Sequence, residues 1–168
     1  VVKEVRYNEY AKQALDMIPK GAFLTTAAGE AVNTMTIGWG AISHIWQKPV
    51  FIVLVRPSRY TYELIENSSE FTVSVPLHDD MKKALALCGT KSGRDMDKIK
   101  AAGLSVLPGQ KVGVPVISGA GLHFECKIVY KQKMDPSLFD PGLAKTCYPE
   151  GDYHTLYYGE IVACYQEA

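Results

Sequence analysis

Between Leu122 and Tyr130 the chain alternates residue by residue, and this period of two constrains the fold more than any other segment. Leu122, Phe124, Cys126, Ile128 and Tyr130 fall on one side, His123, Glu125 and Lys127 on the other. Successive side chains of a strand point to opposite faces, so the segment is expected in an antiparallel sheet with one face on the core and one in water. Phe71 to Val75 alternates as a half-buried strand does, ended by Pro76, and Thr155 to Tyr165 reads as a final strand. Val50 to Val55 is continuously apolar and β-branched, which predicts burial on both faces. Ala22 to Thr26 reads as a strand turned by Ala28-Gly29-Glu30. Thr34 to Ile45 reads as one further strand, interrupted by Gly38 and Gly40.

Helical segments fall between these runs. Asn8 to Met17 is expected as a short helix stopped by Pro19-Lys20-Gly21. Ser58 is a reasonable N-cap for a helix through Tyr62-Glu63-Leu64-Ile65. Asp79 to Leu87 places Met81, Ala84, Leu85 and Cys88 at helical spacing. Asp95 is expected to cap a helix to Ala102. Met134 to Asp152, rich in Pro, Gly and Asp, reads as a long loop or excursion, and loops of that length are often functional. Strands outnumber helices, so the expected fold is mainly β, a Greek-key-like antiparallel β-barrel with helices inserted between strands. The strand-helix-strand unit around residues 50 to 75 also suits an α/β fold, and pattern leaves that alternative open. With 168 residues and no repeat, low-complexity tract or linker, residues 1–168 are expected to form one domain.

Charge excludes some partners. Lys plus Arg and Asp plus Glu both number 18, a formal net charge of zero. No basic stripe marks a nucleic-acid binder, and so little net charge opposes self-association weakly. No apolar run approaches the roughly 20 residues that cross a bilayer, and Val1-Val2-Lys3-Glu4-Val5-Arg6 lacks a signal peptide's apolar region. The expected address is the cytoplasm. Cys88, Cys126, Cys147 and Cys164 form no CxxC pair or zinc spacing and are expected as buried free thiols. The four histidines have no Cys or carboxylate at metal-ligand spacing.

Four segments carry groups suited to a ligand. Asn33-Thr34-Met35-Thr36-Ile37-Gly38-Trp39-Gly40 combines hydroxyls, bare backbone and one indole with a stacking face. Arg56-Pro57-Ser58-Arg59-Tyr60-Thr61 ends a strand on a basic turn that opens a helix, an arrangement that suits phosphate. Ser92-Gly93-Arg94-Asp95-Met96-Asp97-Lys98 joins a hydroxyl, a glycine and two cations. His154 follows Gly151-Asp152-Tyr153 and offers an imidazole donor. Each has a plain structural reading too: a Thr-rich strand with a core Trp, a capped helix with solvated arginines, an Asp-capped surface helix, a solvated loop His. A ligand with a flat ring and an anionic tail would use all four. No HExxH, GxSxG, GxGxxG or P-loop pattern appears.

In order and spacing, these segments resemble the flavin reductase-like proteins with an FMN-binding split barrel, most closely the flavoredoxin type. Lys48-Pro49-Val50 and Phe71-Thr72-Val73-Ser74-Val75-Pro76 extend the likeness, which runs from about Ala22 to Cys164. The chain departs from the family's common Gly-Asp-His triplet by placing Tyr153 before His154. The resemblance implies a homodimer with FMN near the subunit interface. It implies that Asn33, Thr34, Met35, Thr36 and Trp39 line the flavin and that Arg56, Arg59, Tyr60 and Thr61 hold ring edge, ribityl chain or phosphate. Ser92 and Lys98 would assist at the anionic end, with His154 close to the cofactor. It also implies electron or hydride transfer through FMN with NAD(P)H as donor. The alternatives are a redox carrier reduced by a protein electron donor, or a flavin-binding module without turnover.

Overall fold

The computed structural model describes residues 1–78 and 80–168. Its strands are β1 (Val2–Glu4), β2 (Ala22–Ala28), β3 (Ala31–Ile37), β4 (Gly40–Ile45), β5 (Lys48–Val55), β6 (Glu70–Pro76), β7 (Val106–Leu107), β8 (Val116–Ile117), β9 (Gly121–Lys133) and β10 (Thr155–Glu167). The helices are α1 (Ala11–Met17), α2 (Tyr60–Glu66), α3 (Lys82–Thr90), α4 (Lys98–Ala101) and α5 (Pro141–Cys147). Single 3-10 turns lie at Ile18–Lys20 and Pro136–Leu138.

The main sheet runs β3-β2-β6-β9-β10-β5-β4, with β1 added on β10. Every pairing is antiparallel. Strands β5 and β6 flank α2 in sequence, yet β10 and β9 lie between them. Three antiparallel steps make β5 and β6 run in opposite directions, so this is no parallel crossover and the α/β alternative is excluded.

The segment expected as one strand, Thr34 to Ile45, is two: β3 and β4 lie at opposite ends of the sheet path. Only Gly38 and Trp39 separate them. Three chain steps span at most about 11 Å, so the sheet must curl until its ends meet. No ladder joins β3 to β4; the chain itself closes the barrel. The β4–β5 turn at Trp46-Gln47 has φ of 55° and 57°. This two-residue turn carries neither Gly nor Asn, and Trp46 packs its ring against Tyr130 and Tyr158.

Burial departs from several expectations. The face of β9 expected to be wet is sealed as far as Glu125; from Lys127 on the strand meets solvent, with Tyr130 of the expected core face exposed and Ile128 half-buried. His123 and Glu125 are fully buried. The Glu125 carboxylate accepts from the backbone N–H groups of Gln110 (2.6 Å), Lys111 (2.7 Å) and Val112 (3.1 Å), and from the Tyr165 hydroxyl (2.7 Å). His123 lies 3.0 Å from both Ser74 Oγ and Glu167 Oε2. The segment carrying β7 and β8 folds over this face, so alternation marked the strand but not its cover. Strand β6 is likewise buried on both faces from Phe71 onward, whereas in β5 Ile52 and Leu54 are only half-buried.

Helix boundaries shift for local reasons. The first helix begins at Ala11 rather than Asn8. Arg59, not Ser58, occupies the N-cap of α2, because the Ser58 hydroxyl is bound to Asp152. Asp97, not Asp95, caps α4, accepting from Lys100 N. Helix α3 continues to Thr90; the expected start at Asp79 lies outside the described residues. Its Leu85 and Cys88 form a second core with Phe23 and Ile117, and Met81 and Ala84 pack against it, as their spacing predicts. The excursion 134–152 contains helix α5, with Asp140 as its cap. Cys88, Cys126 and Cys164 are buried free thiols, whereas Cys147 is half-buried. Among the described residues no helix is long and apolar enough to cross a membrane.

Removing the Glu125 carboxylate would strand two buried donors, the Val112 N–H and the Tyr165 hydroxyl, each costing about 1–3 kcal/mol when unsatisfied, and would free the N–H groups of the exposed Gln110 and Lys111. Glu125→Ala is expected to lower unfolding free energy by at least ~3 kcal/mol in urea denaturation. A loss below ~1 kcal/mol would mean that these donors find water and that the buried clasp is not what holds the cover.

Candidate functional site

The seam where the barrel closes is also its cleft. Gly38 and Trp39 wall a cavity of about 230 Å³ completed by Met35, Thr36 and Ile37 of β3, Leu54 and Arg56 from the end of β5, Arg59 before α2, and His154 before β10. Trp39 is 47% exposed, so an aromatic face is open to a ligand; its ring centroid lies 5.3 Å from that of His154.

The excursion 134–152 fixes the polar side of this cleft. Arg56 donates from Nη1 to the Asp152 carbonyl (3.1 Å) and from Nη2 to the Cys147 carbonyl (3.0 Å). Its guanidinium sits 4.8 Å over the Tyr148 ring. The Tyr148 hydroxyl lies 2.7 Å from His154 Nδ1. Burial first, then the charge of Arg56, drives the His154 pKa down to about 4, so the imidazole is neutral at pH 7. The Asp152 carboxylate accepts from the Ser58 N–H and hydroxyl, tying the excursion to the turn before α2.

A second, smaller cavity of about 110 Å³ adjoins the first, and Arg59 lines both. Tyr60, Thr61, Ser92 and Lys98 also face it, with Ser58, Thr90, Lys91 and Arg94 completing the wall. The end of α3 organises its cations. Lys98 Nζ donates to the Cys88 carbonyl (2.9 Å), and both Nη groups of Arg59 donate to the Gly89 carbonyl (3.2 and 3.1 Å). Carbonyls at a helix C-terminus carry partial negative charge and attract cations. Lys98 is nevertheless almost fully buried, and no ion pair with a carboxylate reaches it or Arg59 among the described residues. Burial first, then the charge of Arg59, pulls the Lys98 pKa down to about 8, against an upward contribution from Cys88. Burial, then Arg56, lowers that of Arg59. Arg94, by contrast, is bound to Glu63.

Asn33 stands behind the smaller cavity, its Nδ2 donating to Thr61 Oγ1 (2.9 Å). A Cβ at position 93 would lie 2.3 Å from Asn33 Oδ1 and 2.5 Å from the Tyr60 ring. Only glycine lets the loop before α4 sit this close.

The groove thus gathers Met35, Thr36, Trp39, Arg56, Arg59, Tyr60, Thr61, Ser92, Lys98 and His154, with Asn33 in support. Thr34 stays apart: it is fully buried, and its hydroxyl engages the Leu24 carbonyl and Thr25. Sequence reasoning missed Leu54, the Cys88 and Gly89 carbonyls, Lys91, and the Tyr148 and Asp152 contacts. The carbonyls needed the true end of α3. The contact of the Tyr148 ring with Arg56 and those of Asp152 with Arg56 and Ser58 join segments about 90 residues apart in the chain, which no local pattern signals.

The donor set fits a flavin mononucleotide. The larger cleft offers an indole face, apolar walls and polar groups at one side. The smaller holds cations and hydroxyls without a carboxylate among its lining residues.

Residues 15–168 match the family model described as the flavin reductase like domain. An uncharacterised protein of Pyrococcus abyssi is 28% identical over 151 residues, which covers 88% of this chain and 74% of that protein. A flavoredoxin from Methanosarcina acetivorans is 27% identical, with a TM-score of 0.67 over 88% of this chain and 68% of its own. An FMN-binding protein from Thermus thermophilus is 26% identical, with a TM-score of 0.69 over 88% of this chain and 71% of its own. These neighbours share the split-barrel fold described above.

The depressed pKa of His154 has a consequence for stability. Its folded pKa of about 4 lies below the ordinary 6.5, so between those values the unfolded chain binds the proton that the folded chain refuses. The contribution is complete above pH about 6.5 and is lost as pH falls towards 4. Thermal midpoints measured across that window should fall more steeply for the wild type than for His154→Gln. Parallel curves would show an imidazole that titrates normally in the fold.

Proposed function

The chain belongs to the flavin reductase-like family, and from that premise we propose that the joined clefts hold FMN and that the protein passes electrons or hydride from NAD(P)H through it. The observation that carries this reading is the pair of cations, the buried Lys98 and the half-buried Arg59, which hydrogen-bond backbone carbonyls and make no ion pair among the described residues, with the Asp152 charge acting on Arg59 from further away. Buried charge without a counter-charge is costly, and a phosphate monoester carrying about −1.5 to −2 charge at pH 7 supplies the missing partner. The open face of Trp39 and the FMN-binding relative support the remainder. When bound, FMN supplies reversible hydride and single-electron chemistry at its ring.

In this reading Lys98, Arg59, Thr61 and Ser92 hold the phosphate end. Asn33 orients Thr61. Trp39 and Met35 flank the ring, and Ile37 and Leu54 keep water from it. Arg56 and Arg59 present positive charge to the ring cleft, which favours added negative charge there. His154, neutral and held by Tyr148, meets the ligand without adding a third cation. A homodimer, and one domain over residues 1–168, are part of the same proposal.

The half-exposed Trp39 and the structural match to a flavoredoxin support a second reading, a carrier reduced by a protein donor. Anaerobic titration of the FMN-loaded protein with NADH and then NADPH separates the two. Prompt bleaching of the flavin band is expected. A band that persists with both nucleotides would leave the carrier reading standing and remove the nicotinamide donor.

Lys98 sheds its proton at about pH 8, so FMN affinity is expected to fall as pH rises through that value, and binding near pH 8 should take up a proton. A charge-assisted hydrogen bond contributes about 1.5–3 kcal/mol. Lys98→Met should therefore weaken FMN binding roughly 10- to 100-fold and flatten its pH dependence in fluorescence titrations. Trp39→Ala should release FMN more readily with an unfolding midpoint close to wild type; Thr61→Ala should also release it, with a lower midpoint because the buried Asn33 Nδ2 loses its acceptor. Unchanged FMN occupancy in all three variants would place the cofactor elsewhere.

A further inference from the structure

A third hollow, about 480 Å³, lies between α1 and α3, and no part of the flavin reading uses it. Its burial is graded. Pro76 and Leu85 are buried, and Met17, Thr36 and Met81 are half-buried, while Lys20, His78, Lys82 and Ala86 are exposed. The floor is thus apolar and the rim polar and basic. Its size lies within the roughly 300–1,000 Å³ of small-molecule sites, and the larger flavin cleft alone is smaller. Two methionines give it soft, adaptable walls of the kind that accept apolar and aromatic bodies. Lys20 makes no ion pair among the described residues.

Thr36 also lines the larger cleft. Its hydroxyl donates to the Leu85 carbonyl (2.6 Å), which fixes the side chain as a partition between the two spaces. A ligand on the floor of this hollow stands one side chain away from whatever fills the cleft.

We propose that this hollow is a second ligand site, for an apolar organic monoanion whose aromatic or aliphatic body rests on Met17, Pro76, Met81 and Leu85 and whose carboxylate meets Lys20 at the rim. The graded burial sets the orientation: an apolar body in water gains by entering, while a carboxylate stays hydrated beside an ammonium at low cost. The proposal goes beyond the flavin reading and stands without it, because it rests on a separate cavity.

The test uses 2-naphthoate and its neutral analogue 2-naphthalenemethanol, each titrated calorimetrically into the protein with and without saturating FMN. Naphthoate is expected to bind once per chain and to stay bound when FMN is added. The alcohol should bind about three- to fivefold more weakly, the scale of an exposed ion pair. Ala86→Trp, on an exposed helical position, should fill the opening and raise the dissociation constant of both probes at least about tenfold. Lys20→Glu should weaken naphthoate but not the alcohol. Displacement of naphthoate by FMN would put the probe in the flavin cleft and overturn the proposal, as would unchanged affinity in Ala86→Trp. No saturable binding to a protein that is dimeric in the same buffer would assign the hollow to the subunit contact and overturn it too. Retention of FMN is read independently, so a failed flavin reading and a failed second site give different results.

Discussion

The two-residue link Gly38-Trp39 is the constraint on which the rest depends. It joins strands from opposite ends of a seven-strand path, so the sheet closes through the chain rather than through hydrogen bonds. A ladder at that seam would fill it with paired backbone. A covalent corner leaves it open, and the groove sits there. The same corner delivers Trp39 to the cleft, and Met35 and Ile37, packed in the core, form its inner wall. Binding surface and barrel closure are consequences of one geometric requirement.

Electrostatics divides the molecule in two. Under β7 and β8, buried polar groups are matched: Glu125 has four donors, and His123 lies within hydrogen-bond distance of Ser74 and Glu167. That region is closed and self-sufficient. At the seam the matching stops halfway. Lys98 and Arg59 are held by the last carbonyls of α3, whose partial charges offset only part of a full cation. Seven residues make α2 a helix of under two turns, so side chains rather than a long macrodipole carry the positive potential here. The contrast between a buried region that satisfies its polar groups internally and a seam whose cations lack an ion pair is what the proposed anion site rests on.

Local rules carried much of this into the sequence. Alternation located β9, helical spacing located the buried face of α3, and the Arg56 to Thr61 turn announced a basic strand end. Three features were not legible, each because it depends on a distant segment. The dry face of β9 needs the β7–β8 cover. The split of residues 34–45 into two strands needs the barrel to exist, since Gly38 and Gly40 alone read as an interruption. Ser58 scores as a cap because caps are judged from neighbours along the chain, yet Asp152, 94 residues away, takes its hydroxyl. The displaced cap and the site are linked: the bond that removes Ser58 from α2 fastens the excursion over the groove.

That excursion is the last piece of the argument. An irregular, Pro- and Gly-rich stretch is a costly place to fix a side chain, since ordering each residue's backbone costs about 1–2 kcal/mol. Residues 134–152 offset this cost with helix α5, with the rings of Phe139 and Tyr148 clustered on each other and on the adjoining Tyr153, and with the carbonyls of Cys147 and Asp152 turned onto Arg56. Tyr148 joins the two functions, with its ring beneath the Arg56 guanidinium and its hydroxyl on His154. One aromatic side chain therefore sets both the position of a cation and the neutrality-preserving seat of an imidazole. The groove owes its polar side to a segment outside the barrel, so a barrel of this kind can change the polar lining of its groove by changing the excursion while its β-sheet stays intact.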